Sequence, residues 1–105
     1  MKRLEGNVTI ITGGGKGIGF GLAQAFAEEG SDLVITGRTE SRLIAAKEKL
    51  EDEYGVKVLP IVADGADEEA IKRVVTKTVE RFGKITTLVN NAQVSKSGLP
   101  LVEHS

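Results

Sequence analysis

Short apolar runs alternate along the chain with longer amphipathic stretches, and the period changes at glycines. Val8-Thr9-Ile10-Ile11-Thr12 is rich in β-branched residues and runs into a glycine cluster, the pattern of a buried strand. From Gly17 the apolar positions Ile18, Leu22, Ala25 and Phe26 predict one helical face, with Gly30 just past its end. Leu33-Val34-Ile35-Thr36 predicts a second strand. A second helix is expected from about Glu40 to Glu53, with Leu43, Ala46 and Leu50 on its apolar face and the stem of Lys47 laid beside them. Gly55 stops it.

Val56 to Ala63 predicts a third strand, and Pro60 within it lacks the N–H that a central strand needs, which places this strand at a sheet edge. Asp67 suits the N-cap of a third helix, followed by Glu68 and Glu69 where the helix dipole favours negative charge. Ile71, Val74, Val75, Thr78 and Phe82 make its apolar face, Gly83 ends it, and Ile85 to Val89 predicts a fourth strand. Each of the three crossovers is long enough to join parallel strands. Right-handed connections in a doubly wound α/β sheet then give the order 3-2-1-4, with the third strand at an edge, as Pro60 independently requires.

Composition narrows the functions available. The 105 residues make one small domain with a net charge of −1, which argues against a nucleic-acid partner. The absence of cysteine excludes disulfides and thiolate metal sites. The single histidine, His104, reads as part of a solvated tail. No apolar stretch approaches a membrane span or a signal-peptide core, so the chain is expected to have no membrane partner and to work in the cytoplasm.

The glycines carry the candidate chemistry. Thr12-Gly13-Gly14-Gly15-Lys16-Gly17-Ile18-Gly19 lies between the first strand and the first helix, where helix N-terminal amides attract a phosphate. The G-x-G-x-x-G template fits from none of these glycines, and a Walker A loop is excluded because Lys16 is followed by Gly17. What fits is G-x-x-x-G-x-G at Gly13, Gly17 and Gly19. The second strand ends Thr36-Gly37-Arg38 with no acid to meet a ribose 2′-OH, since Asp32 stands at the opposite end of the strand. The planar fork of Arg38 suits a 2′-phosphate instead, which points to NADP(H).

The glycine pattern, preceded by Thr12 and enclosing Ile18, resembles the cofactor loop of the short-chain dehydrogenases/reductases. Asn90-Asn91-Ala92-Gln93 is similar to the N-N-A-G of that family, with Gln93 in place of the glycine. The resemblance implies a Rossmann-like sheet, here cut after its fourth strand, so that residues 1–105 form part of a cofactor-binding domain. It also implies cofactor contacts at Gly13, Gly15, Lys16, Gly17, Ile18, Gly19, Arg38, Asp64, Asn90 and Ala92, with Lys16 a second cation toward NADP and Asp64 on the adenine amino group. A side chain at Gln93 is expected to crowd the nicotinamide side.

In the family a Ser, a Tyr and the Lys four residues after it carry hydride transfer, and these positions fall beyond the end of this chain. Its one tyrosine, Tyr54, is followed four positions on by Val58, and Ser95, Ser97 and Ser105 come too early. The expectation is an NADP(H)-dependent alcohol or carbonyl oxidoreductase represented by its dinucleotide-binding half, with little activity alone. A non-catalytic dinucleotide-binding sensor or assembly module is the alternative, and a nucleotide-free structural domain a third reading. The apolar fourth strand, left as an edge, is expected to drive self-association.

Overall fold

The computed structural model describes residues 4–15, 17–64 and 67–91. The elements run β1 (Val8–Thr12), α1 (Gly17–Glu28), β2 (Asp32–Gly37), α2 (Glu40–Tyr54), β3 (Val58–Val62), α3 (Glu68–Phe82) and β4 (Thr87–Val89). All strand pairs are parallel and the sheet order is β3-β2-β1-β4, as the crossover argument requires. Pro60 sits in β3 opposite Ile35, and among the described residues β3 pairs with β2 alone, so the missing N–H leaves no neighbour there without a donor.

Alternation along the strands feeds two cores. Ile11, Leu33, Ile35 and Val58 pack under α1 and α2 with Ala23, Ala27, Leu43, Ala46 and Leu50. On the other face Ile10, Val34 and Ile61 pack with Ala63 and with Ala70 and Val74 of α3. The apolar positions expected for α2 hold: Leu43, Ala46 and Leu50 are buried, and Lys47 lies half-buried beside them. The Lys47 ammonium bridges to Glu51 at 2.7 Å.

The face of α1 differs from the expectation. Ile18 is 77% exposed and Ala25 is exposed, while Gly19, Ala23 and Ala27 face the sheet. Small residues at every fourth position let this helix lie close on β1 and β2, whereas a stripe of large side chains would hold it off. Leu22 and Phe26 are half-buried and flank that seam. The third and fourth strands are also shorter than their apolar runs suggested, beginning at Val58 and Thr87.

The ends of the helices follow their chemistry. The Asp67 carboxylate accepts from the N–H groups of Glu69 at 3.0 Å and Ala70 at 3.4 Å, the expected N-cap of α3. Gly55 and Gly83 close α2 and α3 in the left-handed region, at φ 74° and 84°. Glu51 also joins α2 to β3, since its second carboxylate oxygen accepts from Val58 N–H at 2.9 Å. Burial works to raise the Glu51 pKa, yet these two hydrogen bonds and the charges of Lys47 and Arg81 outweigh it and hold the group below its ordinary value.

Candidate functional site

Because every strand runs the same way, the segments that follow all four strands gather at one sheet edge. That edge carries the glycine loop after β1, Arg38 after β2, Asp64 after β3, and Asn90 and Asn91 after β4. A ligand spanning such a crevice meets the reversal of strand order between β1 and β4.

The loop is shaped by positions where a side chain would not fit. Gly13 and Gly17 adopt φ of 72° and 61°, in the region that L side chains rarely enter. A Cβ on Gly19 would collide with the carbonyl of Gly13, so the start of α1 crosses directly over the end of β1. The same hypothetical atom would stand 3.0 Å from the side-chain nitrogen of Asn91. Gly14 is buried, its N–H donates to the Thr36 carbonyl at 3.1 Å, and a Cβ there would press on Ile35 at 2.8 Å. The loop is therefore clamped to β2, while Gly17 and Ile18 stay exposed at the first turn of α1.

On the β4 side, Thr12 donates through its hydroxyl to Asn90 Oδ1 at 3.1 Å and lies 3.4 Å from the Val89 carbonyl. Thr12 thus fixes the residue after β4 relative to the end of β1. Sequence reasoning treated Thr12 only as a flank of the glycine pattern and left out Gly14 and Asn91. A polar side chain on the last strand residue before the glycine loop was the available signal for Thr12. Gly14 carried none beyond being a glycine.

On the β2 and β3 side, Arg38 is exposed directly after β2. Asp64 is exposed after β3, and its carbonyl accepts from Asp67 N–H at 3.0 Å, which holds the turn into α3. Asp32 stands at the far end of β2, where its carboxylate accepts from Lys57 N–H at 2.9 Å, so it is a structural group remote from the site. Lys16, Ala92, Gln93, Ser95, Ser97, His104 and Ser105 lie outside the described residues. Tyr54 packs against the core under α1 and α2. Burial, followed by the charges of Glu53 and Glu28, raises its pKa, opposite to what a phenol exchanging protons near neutrality needs.

Residues 7–103 match the profile of the short chain dehydrogenases. The chain belongs to that family. Among curated relatives, this chain is 52% identical to a 12alpha-hydroxysteroid dehydrogenase of a Clostridium species, over 96% of this chain and 41% of that protein. It is 46% identical to an uncharacterized oxidoreductase of Thermotoga maritima, over 87% of this chain and 35% of the relative. It therefore spans roughly two fifths of the curated relatives it matches. Among solved structures, L-sorbose reductase from Gluconobacter frateurii in complex with NADPH and L-sorbose superposes with a TM-score of 0.78 at 36% identity, over 81% of this chain and 32% of the reductase. An NAD+-bound xylitol dehydrogenase superposes with a TM-score of 0.77 at 33% identity, over 83% and 33% of the two chains.

The site residues fit a nicotinamide dinucleotide. Among the described residues nothing lies within 4 Å of a Cβ placed on Gly17, so the amides at the first turn of α1 can meet a pyrophosphate. Among the described residues, no helix is long and apolar enough to cross a membrane, and no cluster of His, Cys, Asp or Glu could hold a metal ion.

Proposed function

We propose that this chain is the cofactor-binding part of an NADP(H)-dependent oxidoreductase acting on an alcohol or carbonyl compound. The observation that carries the reading is the crossing of Gly19 over the Gly13 carbonyl, which brings the bare start of α1 onto the carboxyl edge of the sheet. In this reading Gly13, Gly15, Lys16, Gly17, Ile18 and Gly19 hold the pyrophosphate. Arg38 takes the adenosine 2′-phosphate, Asp64 meets the adenine, and Asn90 and Ala92 line the ribose on the nicotinamide side. NADPH relatives such as the sorbose reductase support the phosphorylated cofactor, while the NAD+-bound xylitol dehydrogenase shows that the fold serves either one.

The bound cofactor would supply hydride exchange at its nicotinamide carbon. The residues of this chain bind and orient it, and the sequence has no Tyr-x-x-x-Lys to move the accompanying proton. Calorimetric titration of the 105-residue chain with NADPH and NADH tests the assignment. NADPH is expected to bind more tightly, and Arg38→Ala is expected to weaken NADPH roughly tenfold with little change for NADH. Absence of any dinucleotide binding would leave only the fold. The same polypeptide is expected to show little carbonyl-dependent NADPH oxidation, and turnover at the rate of a complete enzyme would overturn that part.

A further inference from the structure

The corner between the glycine loop and the end of β2 carries a second arginine, Arg42, that the family resemblance did not bring in. The first turn of α2 is wedged onto the loop by Leu43, which is 1% exposed. Its Cδ2 would stand 3.3 Å from a Cβ placed on Gly15 and 3.3 Å from one placed on Gly37. This contact locks the turn between the glycine loop and the end of β2. The residue before it, Arg42, is thereby held at the same corner, with its own Cβ 3.8 Å from the hypothetical Gly15 Cβ. Arg38 precedes the N-cap Thr39, so two arginines four residues apart bracket the start of α2.

Arg42 stands where local helix electrostatics disfavour it. A cation in the first turn faces the positive end of the dipole, and the other first-turn charge, Glu40, is the kind the dipole favours. Arg42 is exposed, and the ion pairs among the described residues join Lys47 to Glu51 and Lys72 to Glu69. A charge set against the local preference on a rigidly seated turn marks a functional position more often than a structural one.

We propose that Arg42 is a second specificity-determining residue for the adenosine 2′-phosphate, acting beside Arg38. This rests on the NADP(H) reading above. Guanidiniums carried on either side of the N-cap in sequence can each donate to a phosphate dianion, which a single arginine cannot saturate. Arg42 thereby selects the phosphorylated cofactor and contributes nothing to the part of the dinucleotide that NADH shares.

The test uses the full 105-residue chain with the adenosine fragments 2′,5′-ADP and 5′-ADP beside NADPH and NADH, read by calorimetry. Arg42→Gln is expected to weaken 2′,5′-ADP and NADPH roughly tenfold and to leave 5′-ADP and NADH within about twofold. Arg42→Lys should restore part of the loss, because it keeps the charge without the fork. The thermal midpoint of Arg42→Gln without nucleotide is expected to match the parent, which separates a ligand effect from damage to α2. Equal weakening of all four ligands, or no change, would overturn the role of Arg42. If Arg38→Ala removes the preference for 2′,5′-ADP while Arg42→Gln does not, only this inference fails. A parent chain that binds 2′,5′-ADP and 5′-ADP alike overturns the NADP(H) reading together with it.

Discussion

Among the described residues two helices, α1 and α2, cover one face of the sheet, whereas α3 alone covers the other. Under the pair, the side chains of Ile11, Leu33, Ile35, Leu43 and Leu50 are all essentially sealed from water. On the single-helix face Ile10, Val34 and Val74 are sealed too, but Leu88 of β4 is 50% exposed and Val79 of α3 is 46% exposed. The closed face also carries the site, since α1 and α2 both begin at the carboxyl edge. Close packing there positions the loop and the backbone that carries both arginines, and the open face can change with less consequence for the site.

The largest expected effect lies on the closed face. Leu50→Ala should destabilise the fold by about 2–5 kcal/mol, because two helices and the sheet cannot all collapse into the space. Val74→Ala on the open face should cost about half as much, removing less volume under a layer that can settle. Urea midpoints of the two variants check the difference, and equal losses would break the distinction between the faces. Gly19→Ala should cost about 1–3 kcal/mol and also abolish NADPH binding, since the new methyl group must push α1 off the Gly13 carbonyl.

A smaller effect concerns the Glu51 link between α2 and β3. Its folded-state pKa lies below the ordinary 4.5, so its contribution is complete above that value and is lost as pH falls through the depressed one. Unfolding midpoints of the parent should fall more steeply below about pH 4.5 than those of Glu51→Gln, whose acid-range slope should be flatter. The side chain is one third exposed, so the difference is modest. Least of all for stability is Leu88→Lys, expected within about 0.5 kcal/mol of the parent. Among the described residues β4 pairs only with β1, and a charge beside that open edge should reduce any association seen by sedimentation at high concentration.

Much of this architecture was legible before any coordinates. Pro60 placed β3 at an edge, and Asp67 announced α3. Both are local chemical constraints, satisfied or violated within a few residues. The burial face of α1 was not legible, because Ile18 and Ala25 are apolar and sit at helical spacing with Leu22. Nor was the link from Thr12 to Asn90, which joins residues 78 positions apart. The position of Arg42 against the glycine loop was not legible either, since it is one of several charged residues along α2.

The sequence alone determined the number, type and order of the elements and the location of the glycine loop. Periodicity, capping residues and glycine conformation are properties of short stretches of chain. Tertiary structure alone decided how closely α1 approaches the sheet, which side chains then fit, and which distant residues share the carboxyl edge. Those outcomes depend on the simultaneous packing of several elements, and Gly13 and Gly19 acquire their joint meaning only when their backbones touch.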